Sequence, residues 1–325
     1  MNKMKKVLYK LMRIFPWLEV LAQCVYANLD QNKRKVIKGK IQTHQVALEK
    51  NVQLEEVLQT IREFGIKKGD LVMVHSSMNG LMQLNATPMQ LIEGLLELVG
   101  EEGTLAMAAF PHYKVQNDII LDGETYTKYD VKRTGVSTGM LPMIFCKCKG
   151  VRRSKCPMNS IAVKGKLADE MLRTEMDTDL VHGRKSAWGY LKEHHAKILY
   201  LGLPITDADT IVHAAEDFLD EEWPIADWYE KSNYIIVNGN EEERVTFRVR
   251  KGFWHRFFTA QYSGKILDKN DFVQRRNIRG VEVELLNDAD LYVEYLINQA
   301  KKGKMLYRIP KRYWKKRNDC GRKAV

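Results

Sequence analysis

Thr210-Ile211-Val212-His213-Ala214-Ala215-Glu216-Asp217 sets an imidazole and a carboxylate three residues apart in a stretch that reads as a helix. At that spacing two side chains share one helical face, so Glu216 can hold one ring nitrogen of His213 while the other works on a substrate. The chemistry this permits is general-base catalysis, the removal of a proton by a neutral imidazole. The same spacing also arises in solvated surface pairs, and the pair alone leaves both readings open.

Two further groups of polar residues follow apolar runs. His75, Ser76 and Ser77 close a strand-like stretch, where hydroxyls and free backbone amides at a strand's carboxyl end can meet a ligand. Arg152, Arg153 and Lys155 precede Cys156-Pro157, and such a cationic cluster suits a phosphorylated ligand as well as it suits a solvated basic loop.

These residues need a frame, and the pattern between 51 and 300 supplies an alternation of strand-like and helix-like runs, the signature of a layered α/β fold. Helices are predicted over Leu54 to Phe64, Pro88 to Val99 with Thr87 as cap and proline in the first turn, Ser137 to Cys146, and Asp209 to Asp220. Strands are predicted over Leu71 to His75, Thr104 to Phe110 and Ile198 to Leu201. Tyr234 to Val237 and Val245 to Arg250 flank Asn238-Gly239 and predict an antiparallel hairpin beside or extending the main sheet. The expected architecture is α/β/α, with a central mixed sheet and this hairpin toward the C-terminal end.

Five segments then stand in register: Val74 to Met78, Gly100 to Leu105, Val151 to Ser160, His182 to Gly189, and Val212 to Glu216. Together, over roughly residues 53 to 265, this series resembles the aminoglycoside 3-N-acetyltransferase family, enzymes that move an acetyl group from acetyl-coenzyme A to an amine of an amino sugar. The resemblance implies that His75, Ser76 and Ser77 line the pantetheine arm of the cofactor, with Arg153, Ser154, Ser160 and Ser186 also on the cofactor side. It implies that Ser186-Ala187-Trp188-Gly189, where the family has Ser-Pro-Trp-Gly, shapes the wall between cofactor and acceptor. The chain departs from the family at Cys156, which takes the place of a histidine. Catalysis is therefore assigned to His213 and Glu216, while Cys156 is either an inert buried thiol or, beside an imidazole, a thiolate that carries the acetyl group.

Composition fits a folded enzyme: 325 residues, 45% of them hydrophobic, can bury one large core. Five unevenly spaced cysteines give no disulfide framework and no zinc quartet, so no metal is expected and a reducing cytoplasm is the simplest setting. The net charge of +11 is divided unequally. Residues 1–40 hold ten Lys/Arg against two acids, and residues 301–325 hold eleven against one, which leaves the body between them acidic. The chain therefore divides into a basic amphipathic N-terminal extension (1–50), an acetyltransferase-like α/β domain (51–300) and a basic tail (301–325). Met1 to Leu29 mixes lysines with Val7, Leu8, Leu11, Ile14 and Trp17; its recurring charges argue against a secretory signal or a membrane span. It suits peripheral contact with an anionic membrane at the inner face of the cell, or packing on the body or on an oligomer partner. Lys311-Arg312-Tyr313-Trp314-Lys315-Lys316-Arg317 reads as an interfacial anchor or a solvated terminus.

The function expected from the sequence is an acetyl-CoA-dependent N-acetyltransferase acting on an amino sugar of a surface polysaccharide or lipid-linked glycan precursor. The alternatives are an aminoglycoside antibiotic acetyltransferase and a non-catalytic coenzyme A-binding protein of glycan assembly. Nucleic acid is not expected as a partner, because the body is acidic and no recognition motif is present.

Overall fold

The computed structural model describes residues 3–28, 50–114 and 117–316. In chain order its main strands are β1 (Leu71–Ser76), β2 (Thr104–Ala108), β3 (Asp118–Leu121), β4 (Glu124–Asp130), β5 (Arg152–Arg153), β6 (Ile161–Gly165), β7 (Lys197–Leu201), β8 (Tyr229–Asn238), β9 (Glu241–Arg250), β10 (Val273–Ile278) and β11 (Val281–Leu286). Seven of these form the central sheet in the order β10-β11-β7-β1-β2-β6-β5. The inner pairs β7/β1 and β1/β2 are parallel, whereas the outer pairs are antiparallel, so the sheet is mixed as expected.

Alternation along the inner strands explains why helices cover both faces. Met73, Ala106, Ile198 and Tyr200 point into one buried cluster, and their sequence neighbours Val72, Val74, Leu105, Leu199 and Leu201 point into another. A strand buried on both faces has to be apolar at nearly every position, which is how β1, β2 and β7 read. The helices α1 (Lys3–Ile14), α2 (Pro16–Asn28), α3 (Leu54–Glu63), α4 (Pro88–Val99), α5 (Met140–Phe145), α6 (Ala168–Arg173), α7 (Ala187–Glu193), α8 (His213–Leu219), α9 (Ala260–Lys269) and α10 (Ala289–Lys301) complete the layers. α3, α4 and α5 supply the Val72 side, and α7, α8 and α10 supply the Met73 side. α4 begins where its cap predicts, with the Thr87 hydroxyl accepting the Gln90 amide.

Differences from the sequence reading have local causes. The helix expected from Ser137 starts only at Met140, because Gly139 sits at φ +115°. The helix expected over Asp209 to Asp220 is a 3₁₀ turn, Thr210–Val212, followed by the seven-residue α8, and Asp220 ends it in the left-handed region at φ +44°. The hairpin around Asn238-Gly239 exists as β8/β9, with Gly239-Asn240 as its two-residue turn. It joins β3 and β4 in a separate four-stranded sheet, β9-β8-β4-β3. A second hairpin, β10/β11, turning through Arg279-Gly280 with φ positive at both, extends the central sheet.

Both basic ends are partly integrated. Pro16 interrupts the N-terminal helix, and α1 and α2 seat on α9 through buried Met12 and Val20 and the Arg13–Asp268 ion pair at 2.8 Å. The stretch from Lys301 to Lys316, expected as a tail, is packed on the body: Met305, Leu306, Tyr307 and Ile309 are buried, and Tyr313 packs edge-on against Trp254. Residues 29–49 of the extension and 317–325 of the tail lie outside the described residues.

The loops after β1 and β7 press together where the site forms. A methyl group on Gly80 would lie 1.6 Å from the Gly202 carbonyl oxygen, and Gly202 itself adopts φ +72°. Gly80→Ala is expected to cost on the order of 2–3 kcal/mol by forcing these loops apart. An unchanged midpoint in urea unfolding would exclude this contact as a constraint.

Candidate active site

Helix α8 rests on the central sheet through Ala214 and Ala215, both buried, which leaves His213 and Glu216 on a second face. His213 Nδ1 lies 2.8 Å from Glu216 Oε1. Burial opposes ionisation of Glu216, but His213, Arg250 and hydrogen bonds from His213 and Tyr307 outweigh it, and its pKa falls below the ordinary carboxylate value. An ionised carboxylate only accepts, so the ring proton sits on Nδ1 and Nε2 keeps its lone pair. Among the described residues, Nε2 has no hydrogen-bond partner. Burial is also the largest influence on His213 itself; it and the Arg250 charge lower the imidazole pKa against the pull of Glu216. The ring is therefore neutral at pH 7.

Glu216 gathers distant residues. Tyr307, from the C-terminal stretch, donates to Oε1 at 2.5 Å, and Arg250, at the end of β9, bonds the Tyr307 hydroxyl and lies 3.9 Å from the same carboxylate oxygen. The adjacent Asp217 accepts from the Tyr229 hydroxyl at 2.9 Å and from the His182 backbone amide at 2.8 Å. His182 packs 5.5 Å from the His213 ring, with its Nδ1 3.4 Å from Asp217 and its Nε2 2.9 Å from Asn159 Nδ2. The amide NH₂ can only donate, so His182 Nε2 is its acceptor, while Nδ1 faces Asp217. Met158, Asn159, His182, His213, Asp217 and Arg250 line a cavity of about 170 Å³.

A second cavity, about 240 Å³, opens at the carboxyl end of β1 and is lined by His75, Ser76, Phe110, Thr138, Leu203 and Thr210. Thr210 stands one turn before His213, so the two cavities flank the same short segment. His75 is clamped between Tyr200 at 5.2 Å and Trp188 at 6.1 Å, and Trp188 in turn packs 5.7 Å from His182. An unbroken row of rings thus runs from His75 to His213 on one face of the sheet. Burial drives the His75 pKa down to about 4, and its Nε2 finds no partner among the described residues.

The other residues singled out in the sequence take different positions. Ser76 lines the second cavity, whereas the Ser77 amide is already donated to the Leu201 carbonyl. Arg153 directs its guanidinium at the carbonyls of Ala109 and Thr134 and at the Ser160 hydroxyl, tying loops together. Ser154 donates to buried Glu175, Ser160 donates to the Ala109 carbonyl, and Ser186 caps α7 by accepting the Gly189 amide. All three serines are buried and their hydroxyls are engaged within the protein. Cys156 packs in an apolar cluster with Val181, Tyr234 and Phe247, and burial pushes its thiol up to about 12. A thiol so firmly protonated is no nucleophile near neutral pH, which removes the covalent-carrier reading. Trp188 stands between the two cavities, its indole donating to the Asn159 carbonyl.

Sequence reasoning did not select His182, Asp217, Asn159, Tyr229, Arg250 or Tyr307 as site residues. His182 and Asp217 had signals, as the first residue of one matched segment and the neighbour of Glu216. Arg250 and Tyr307 had none, since only the fold brings them 34 and 91 positions back to Glu216.

A family model described as aminoglycoside 3-N-acetyltransferase matches residues 73–296. Aminoglycoside N(3)-acetyltransferase IX of Micromonospora chalcea is 28% identical over 199 residues, covering 58% of this chain and 69% of the relative. The SPbeta prophage-derived aminoglycoside N(3')-acetyltransferase-like protein YokD of Bacillus subtilis (strain 168) is 27% identical over 180 residues, covering 50% and 64%. The chain spans less than two thirds of the length of most of the curated relatives it matches. Among solved structures, AAC-IIIb in a binary complex with CoASH superposes with a TM-score of 0.66 at 18% identity over 78% of this chain and 98% of that one. A mutant of aminoglycoside acetyltransferase AAC(3)-IVa in complex with a gentamicin superposes with a TM-score of 0.65 at 19% identity over 83% and 95%. At these identities the structural likeness speaks for the fold.

The electrostatics can be read by NMR titration of the imidazole at position 213. Its midpoint is expected below the ordinary 6.5. Glu216→Gln should move it further down and Arg250→Gln should move it up, because the first change removes a stabilising negative charge and the second a competing positive one. Shifts of the same sign in both variants would disprove this arrangement.

Proposed function

The chain belongs to the aminoglycoside 3-N-acetyltransferase family, and from that premise we propose that it transfers an acetyl group from acetyl-coenzyme A to an amine of an aminoglycoside-type amino sugar. The observation that carries this reading is the His213–Glu216 pair at 2.8 Å, with a free, neutral Nε2 beside a cavity that His213 lines. The names of the curated relatives support an aminoglycoside acceptor over the surface-glycan amino sugar expected from the sequence.

A protonated amine cannot attack a thioester, so a base must first take a proton from the acceptor ammonium. His213 does this through Nε2, and Glu216 stabilises the imidazolium that results. The amine nitrogen then bonds to the thioester carbonyl carbon and the carbon–sulfur bond breaks; the departing thiolate takes the proton held by His213, and the ring, neutral again, accepts the second proton of the new amide nitrogen and releases it to solvent. The Ser76 hydroxyl is the donor available to the oxyanion, since the Ser77 amide is taken. His75, Thr138 and Thr210 would meet the amide-rich pantetheine arm along the 240 Å³ cavity. Beyond the 135–143 segment, a larger cavity of about 860 Å³ presents Lys132, Arg133, Lys147, Arg152, Lys155 and Arg173 to the cofactor phosphates. Arg153, Ser154, Ser160 and Ser186 support this reading as a frame around the site.

The acidic run after Glu216 contributes less to attracting a polycation than its sequence suggests. Asp220 is held by Arg248 at 2.7 Å, and Arg248 and Arg250 offset the cavity carboxylates. Selectivity for the acceptor then rests on shape and on Asp217 and Asn159.

His213→Ala should lower kcat/KM for acetylation by about 10²–10⁴, with coenzyme A binding by calorimetry nearly unchanged. Full activity in that variant would remove His213 from the base role. Thioester consumption measured against aminoglycosides, simple amino sugars and nucleotide amino sugars should be fastest with the first group. Turnover confined to nucleotide amino sugars, or coenzyme A binding without turnover on any amine, would overturn the acceptor assignment.

A further inference from the structure

We propose that the outward face of α1 and α2 is a docking surface for an anionic lipid bilayer. The inward face of this helix pair is fully engaged with the body. Met12 and Val20 are buried, the buried Glu19 carboxylate accepts the Gln261 backbone amide at 3.1 Å, and Gln23 donates to the Phe258 carbonyl at 2.9 Å. The opposite face is apolar and open. Leu11 and Ile14 stand three apart on α1, Trp17, Leu21 and Val25 stand four apart on α2, and Phe15 joins them at the break; each is 42–64% exposed. Helical spacing gathers the residues of each helix on its own solvent side, and a monomeric soluble protein rarely leaves so many large apolar side chains in water.

Charge selects the occupant. The α1 sequence has Lys3, Lys5, Lys6, Lys10 and Arg13 and no acid. The single acid of α2, Glu19, is turned into the body. An apolar surface on two helices whose sequences carry five Lys/Arg and a single acid, itself turned inward, complements acyl chains bordered by anionic headgroups, and Phe15 and Trp17 have the amphipathic or aromatic bulk that settles at that boundary. No helix among the described residues is long and apolar enough to cross a membrane, so the contact is interfacial. The inward side of the pair reaches toward the candidate site: Phe258, which Gln23 holds, packs 5.9 Å from His213 and 5.2 Å from Tyr307. The inference rests on this helix pair and not on the acetyl-transfer reading.

The test is flotation of the full chain with vesicles of phosphatidylcholine alone or with about 30% phosphatidylglycerol. The protein should float with the anionic vesicles, less so as salt is raised, and about tenfold less with the neutral ones. The double variant Trp17→Glu/Leu21→Glu should lose about tenfold of the bound fraction while keeping its urea midpoint and far-ultraviolet spectrum. Absence of vesicle binding, or binding indifferent to the double variant, would overturn the proposal. So would a wild-type dimer in light scattering that the same variant converts to monomer, since a second copy would then cover this face.

Discussion

One buried carboxylate organises the candidate site. Glu216 sits in a helix that covers the central sheet, and a charge there is tolerable only if hydrogen bonds and opposite charge replace the water it gives up. His213, Tyr307 and Arg250 do so, and each comes from a different part of the chain. This requirement accounts for the packed path of residues 301–316, because Tyr307 must reach Glu216 on α8. It also sets the state of the ring beside it. The ionised Glu216 fixes the proton of His213 on Nδ1, while burial and Arg250 keep the ring neutral and ready to accept.

Packing around this carboxylate separates two spaces that an acyl transfer needs to keep apart until the reacting atoms meet. Trp188 is the divider, held by its indole hydrogen bond to Asn159 and by the Ser186 cap that starts its helix. Gly189 allows that helix to begin against the Gly183 carbonyl, where a methyl group would come within 2.2 Å. The family motif around Trp188 keeps its tryptophan, and with Ala187 in place of proline the Ser186 side chain still supplies the cap that starts the helix. Similarly, Arg153 and the three buried serines act on the site through the loops they tie down.

Charge along the chain divides by role once it is folded. The acidic body directs part of its negative charge into ion pairs such as Arg248 with Asp179 and Asp220. The basic C-terminal stretch is structural as far as Lys316, with Lys315 bonded to the Glu221 carbonyl. The N-terminal pair of helices differs from both, half docked and half open, with its one buried acid raised to about 7 by burial.

From the residues alone came the layered α/β architecture, the span of α4, the His213–Glu216 pairing and the family, because all of these depend on periods and spacings within a few positions of one another. The β8/β9 turn was legible for the same reason, although the sheet that receives it was not. Tertiary structure decided the rest. It brought Tyr307 and Arg250 to Glu216, set His182 beside His213, buried Cys156 out of reach, and turned expected cofactor ligands such as Ser154 and Ser160 into internal ties. A side chain's partners across tens or hundreds of residues are chosen by where the sheet order and the loops place the backbone, and no local pattern encodes that choice.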